Sequence, residues 1–86
     1  MLRIGYKPAF LRALKKLQPN LQAEVKERMA LFAKHPGHPS LRVHKLKGVL
    51  RGRWSFSVNY QYRVVFVYEG KRMAILLMVG DHSLYG

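Results

Sequence analysis

The apolar positions of this chain keep three different periods along its length. Leu2, Ile4 and Tyr6 alternate with Arg3 and Gly5, which predicts a short strand with one buried face. Pro8 stands where the first turn of a helix tolerates proline. Phe10, Leu14 and Leu17 then recur at helical spacing, with Arg12, Lys15 and Lys16 on the solvent side. Pro19 breaks that helix and opens a second, in which Leu21, Val25, Met29 and Phe32 follow at steps of four, four and three. His35, Pro36 and Gly37 stop it.

From Leu41 the period becomes two. Leu41 and Val43 alternate with Arg42 and His44, leading into residues 45–48. Trp54, Phe56 and Val58 alternate with Arg53, Ser55, Ser57 and Asn59, the pattern of a half-buried strand. Asn59, Tyr60 and Gln61 form a turn signal. Residues 62–68 are aromatic and β-branched and predict a strand. Residues 69–72 predict a hairpin turn. Residues 73–79 are continuously apolar, as expected of a central strand covered on both faces, and Gly80 ends it. The order is β-α-α-β-β-β-β: an α+β domain spanning residues 1–86, with an antiparallel sheet, its last strands joined as a meander, and the helical hairpin packed on one face. The other face stays partly open, and His44 and Arg63 are candidates to point into it.

Charge changes this picture from a fold to a binding surface. Sixteen Lys and Arg stand against four Asp and Glu, a formal net charge of +12. Residues 28–68 hold no acid at all, while Arg28, Lys34, Arg42, Lys45, Lys47, Arg51, Arg53 and Arg63 fall among them. Charge that one-sided repels itself, and a polyanion, nucleic acid above all, is its usual counterpart. A membrane surface fits less well, because the charge is not confined to one amphipathic helix. The absence of cysteine excludes disulfides and thiol chemistry and agrees with a cytoplasmic location. The first residues lack the apolar run of a signal peptide, and no apolar run could span a bilayer.

Four acids are too few for a paired-carboxylate or multi-carboxylate metal site, and no glycine-rich phosphate loop is present. His35 and His38 flank a Pro-Gly turn and read as solvated loop residues. His44, His82, Arg63, several lysines and Tyr85 remain. They form a workable set for RNA cleavage without cofactor or metal. One group takes the proton of the ribose 2′-OH, another protonates the leaving 5′-oxygen, and a fixed cation stabilises the phosphorane. Histidine suits both proton transfers near neutral pH. The plainer readings stand beside this one. A lone strand histidine is more often structural or solvated, Arg63 could pair with Asp81 or Glu69, and Trp54 reads as sheet packing.

Residues 46–55, Leu-Lys-Gly-Val-Leu-Arg-Gly-Arg-Trp-Ser, followed by Tyr62-Arg63-Val64-Val65-Phe66, resemble the RelE/ParE superfamily of toxins from bacterial toxin–antitoxin modules. The tail, residues 79–85, resembles the same group, closest to its YafQ and YoeB branches. The likeness spans essentially the whole chain. It implies a small α+β endoribonuclease that cuts messenger RNA, often on the ribosome, and is silenced by a cognate acidic antitoxin. His44 matches the position of a general base two residues before the Leu-Lys-Gly motif. Arg63 matches the transition-state arginine, and His82 the C-terminal histidine that acts as general acid or base. Tyr85 matches a C-terminal aromatic. Lys45 and Lys47 would serve phosphates, with Arg51 and Arg53 beside them in an RNA-binding role. Ser57 and Gln61 stand where the YafQ-like branch carries further acidic and histidine residues. The ParE branch shares the fold but acts on DNA gyrase, and a non-catalytic RNA-binding protein of this fold is a further alternative.

Overall fold

The computed structural model describes residues 1–81. Strand β1 (Arg3–Tyr6) leads into helix α1 (Pro8–Lys15) and helix α2 (Pro19–Lys34). Each helix opens on its proline, where the missing N–H costs nothing. The corner between them is pinned by the Gln22 amide, whose Nε2 donates to Leu17 O at 2.8 Å and Lys15 O at 3.3 Å. Four strands follow: β2 (His44–Lys45), β3 (Trp54–Ser57), β4 (Arg63–Glu69) and β5 (Met73–Gly80).

The strands form one sheet in the order β1-β5-β4-β3-β2. The meander β2–β5 is antiparallel throughout, as the short connections require. The first strand joins it in parallel beside β5, so the sheet is mixed. A parallel neighbour is what the intervening helical hairpin permits, since it carries the chain across one face before the meander returns.

The hairpin buries the face it crosses. Phe10, Leu14, Val25 and Phe32 meet Phe56, Val64, Phe66, Ala74, Leu76 and Val79 in one core. Phe32 is its keystone, with ring centroids 4.6 Å from Phe56 and 4.8 Å from Phe66. Offset aromatic packing of this kind adds about 0.5–1.5 kcal/mol per pair beyond the area it buries.

Three local readings change. The strand expected from Leu41 is reduced to His44–Lys45. Pro39 opens a 3₁₀ turn (Pro39–Leu41), and Arg42 then adopts a left-handed backbone, φ 49°, which no strand accommodates. The apolar run of β5 is an interior strand, but only Ala74, Leu76 and Val79 are buried, while Met73, Ile75, Leu77 and Met78 are half-buried. A bulge explains its unbroken hydrophobicity. Val65 pairs with Met78 and Phe66 with Leu76, leaving Leu77 extra and returning Val79 to the core side. Finally, β3 is not half-buried: Ser55 and Ser57 are buried as well as Phe56. On that outer face Leu50 and Arg53 share a groove with Val65, Leu77 and Met78, and Arg28 and Arg63 bond to Ser57.

Candidate functional site

The register of the meander puts His44 and Arg63 on one face. His44 pairs with Ser55, Ser55 with Val65 and Val65 with Met78, and directly paired residues share a face. One pleat further along, Ser57 pairs with Arg63 and Arg63 with Gly80. Phe56 and Val64, between the two rows, face the helices. His44 and Arg63 are thus two strands and two residues apart, about 12 Å between Cα atoms by ideal sheet spacing. Long side chains reach across such a gap to the two ends of one phosphodiester.

The His44 ring is oriented by its own loop. Its Nδ1 lies 2.8 Å from Arg42 O. A carbonyl only accepts, so Nδ1 carries the hydrogen and donates it, and the neutral ring keeps its lone pair on Nε2. The left-handed turn at Arg42 aims that carbonyl. The exposed ring therefore presents a base to solvent. His38 shows the opposite arrangement. Its Nδ1 accepts from Ser40 N at 3.1 Å and lies 2.8 Å from Ser40 Oγ, so it caps the 3₁₀ turn and is a structural loop histidine.

Arg63 is half-buried, and its Nη1 donates to Ser57 Oγ at 3.2 Å. It does not pair with Glu69, which lies at the far end of β4. Arg63 opens onto a cleft of about 470 Å³ that Arg28 and Arg42 also line. All three guanidinium nitrogens of Arg28 donate: Nε to Ser57 O at 3.3 Å, Nη1 to Ser40 Oγ at 3.2 Å and Nη2 to Ser40 O at 2.7 Å. It braces α2 against the 3₁₀ turn and β3 while holding its charge at the cleft. Among the described residues, Arg28 and Arg63 donate to serine hydroxyls and backbone carbonyls, none of which cancels a cation. The remaining wall is Ser40, Ser57, Asn59 and Tyr60. Asn59 locks its turn, its Oδ1 accepting from Gln61 N and Tyr62 N at 2.8 Å each, and its Nδ2 donates to Glu24 at 2.7 Å.

The other expected residues divide. Lys47, Arg51 and Arg53 are exposed on the segment beside this face. Lys45 points the other way: it pairs with Trp54, on the row of Phe66, and its Nζ stands 5.6 Å from the Trp54 ring centroid. Trp54 packs edge-on with Tyr68 at 5.1 Å, as sheet packing predicts. His82 and Tyr85 lie outside the described residues. Among the described residues, no group of three His, Cys, Asp or Glu could hold a metal ion, and no helix is long and apolar enough to cross a membrane.

Sequence reasoning did not single out Arg28, Arg42 or Tyr60 as site residues, and noted Ser57 only as a departure from the YafQ-like pattern. Arg28 and Arg42 were two cations among many, and only their convergence distinguishes them. Tyr60 carried a readable signal, an aromatic at the centre of a turn that buries nothing.

No protein-family model matches the sequence, and no curated protein matches it. Solved structures do. Crystalline YafQ from Escherichia coli BL21(DE3) superposes with a TM-score of 0.80 at 19% identity, covering 100% of both chains. A chain of the RelBE2 toxin–antitoxin complex of Mycobacterium tuberculosis gives 0.78 at 20% identity, over 94% of this chain and 98% of that one. The YoeB/ParE toxin of Agrobacterium tumefaciens gives 0.75 at 13% identity, over 94% and 99%. The two helices and the five-stranded sheet that carry His44 and Arg63 are therefore the RelE-like toxin fold shared by YafQ and YoeB.

Proposed function

We propose that the protein is the toxin of a type II toxin–antitoxin pair and an endoribonuclease that cleaves messenger RNA by attack of the ribose 2′-OH on the adjacent phosphate. The observation that carries this reading is His44. Its Nδ1–H is committed to Arg42 O, so its Nε2 is free to act as general base on the same sheet face as a cation, Arg63. His44 Nε2 takes the proton from the 2′-OH. The O2′–P bond forms as the P–O5′ bond breaks, and Arg63 stabilises the charge gathered on the phosphoryl oxygens. His82 then supplies a proton to the departing 5′-oxygen. The products are a 2′,3′-cyclic phosphate and a 5′-hydroxyl, and no cofactor takes part.

The partners follow from charge. With +12 on 86 residues, messenger RNA and the ribosome offer the phosphates, and an acidic antitoxin offers a competing surface. The structural likeness to a chain of the RelBE2 toxin–antitoxin complex supports such a partner, as does the likeness to the Escherichia coli DinJ-YafQ toxin–antitoxin complex, 0.77 in TM-score at 21% identity.

The test is end chemistry. RNA incubated with the purified chain, free or on translating ribosomes, should yield 2′,3′-cyclic phosphate and 5′-hydroxyl ends, and cleavage of free RNA should persist in EDTA. RNA left intact in both settings, with DNA supercoiling by gyrase inhibited, would replace this reading with the ParE-like one.

A further inference from the structure

The arginine-lined cleft reaches away from His44. Its walls include Arg42, Arg63 and Tyr60, and it opens toward the β3–β4 turn, while His44 lies toward the β2 edge. Four features of the cleft need explaining together. Arg42 keeps a left-handed backbone, φ 49°, that residues other than glycine and asparagine seldom adopt, and sites of recognition are where such conformations persist. Arg28 has Nε, Nη1 and Nη2 all engaged with Ser57 and Ser40, so its charge is fixed at the cleft and cannot swing away. Tyr60 is 97% exposed, yet the turn that carries it is locked by Asn59. The cleft is large enough, at about 470 Å³, for a sugar and its phosphate.

We infer that this cleft is a second nucleotide subsite, in which Arg42 holds a backbone phosphate flanking the linkage that is cut and Tyr60 stacks on the adjoining base of single-stranded RNA. The identity of the ligand rests on the ribonuclease reading above. A nucleotide presents a charged phosphate and a π-face together, and the cleft presents guanidinium and an exposed phenol ring together. An acidic peptide would match the charge but leave the ring unused. Arg28 is here a positioning residue. Arg63 stands between the two subsites and belongs to the chemistry, while Arg42 and Tyr60 set the register of the strand. His44 and Arg42 are mechanically linked, because the carbonyl that orients the imidazole belongs to the residue that grips the flanking phosphate.

The test uses the full chain and a fluorescent 2′-O-methyl RNA oligonucleotide, which offers no 2′-OH nucleophile and cannot be cut. Polarisation across a salt series reads affinity and its salt slope. Arg42→Asn, a residue that tolerates the left-handed backbone, should weaken binding about tenfold and reduce the salt slope by about 0.7, the value of one phosphate contact on a single strand. Tyr60→Ala, at a wholly exposed position, should weaken binding by about five- to a hundredfold, the range for one lost base stack, and leave the slope unchanged. Lys71→Ala, in the β4–β5 turn at the other end of the sheet, should change neither. Binding by Arg42→Asn and Tyr60→Ala that cannot be told from Lys71→Ala would overturn the subsite. The strand is not cleaved in this assay, so failure of the ribonuclease reading would show only in the separate cleavage assay.

Discussion

The two faces of the sheet are built from alternate residues of the same strands and do opposite things. Toward the helices, Phe56, Val64, Phe66, Ala74 and Leu76 present only carbon and are fully buried. Toward the outside, Ser55, Ser57 and Arg63 occupy the intervening positions, with His44 added at the edge. The inner face can be read as a packing problem with redundant solutions. The outer face carries polar groups whose partners are few and specific: Ser57 for Arg63, Arg42 O for His44. Stability is concentrated on one side and chemistry on the other, so a substitution on either face should move one property and spare the other.

The largest effect expected is on the inner face. Phe56→Ala removes a ring stacked on Phe32 and leaves a cavity, and should cost about 3–5 kcal/mol in urea unfolding. In a domain of this size that is a large share of the stability. Arg63→Ala should do the converse, lowering the cleavage rate by about 10²–10³-fold, the loss seen when one transition-state donor is removed. Arg63→Lys should recover part of it, since it keeps charge but not the planar fork. An unfolding midpoint that fell as far in Arg63→Ala as in Phe56→Ala would break the division between faces.

A finer test lies at Ser55. Its Oγ is buried on the outer row beside His44 and has no hydrogen-bond partner among the described residues. A buried hydroxyl without a partner carries its desolvation cost, so Ser55→Ala should leave stability unchanged or raise it by about 1 kcal/mol in the same urea experiment. A loss of stability would mean that the hydroxyl is satisfied in solution. The smallest effect concerns Tyr68, whose phenol burial pushes above its ordinary value near 10. The folded state thus favours the neutral phenol. That contribution is complete below the unfolded value and is lost as pH rises through the folded one. Unfolding followed between pH 9 and 12 should show a slight alkaline loss that Tyr68→Phe removes.

Much of this division was written in the sequence. The helical stripes of Phe10/Leu14 and Val25/Phe32, and the alternation through Trp54, Phe56 and Val58, follow from local periodicity, which is a direct record of which face meets carbon. The turn at Asn59 was legible for the same reason, since its side chain makes its own backbone bonds. The parallel pairing of β1 with β5 was not, because it joins segments seventy residues apart and leaves no local trace. The bulge at Leu77 was hidden for a related reason: two half-patterns in opposite phase add up to an unbroken apolar run. Arg42 and Arg28 were hidden by numbers. In a chain with sixteen cations, charge marks a partner but not a position, and only the 3₁₀ turn and the brace onto Ser57 bring these two to Arg63. Lys45 illustrates the converse, a cation one residue from His44 that the pleat sends to the opposite face.

Cleavage depends most directly on His44 as the base. The decisive measurement is the rate at which a defined mRNA is cut by wild type and by His44→Ala, on translating ribosomes, with circular dichroism confirming that both are folded. His44→Ala should unfold at the wild-type midpoint and cut about 10²–10⁴ times more slowly. A folded His44→Ala that cuts the same mRNA at the wild-type rate would contradict that role.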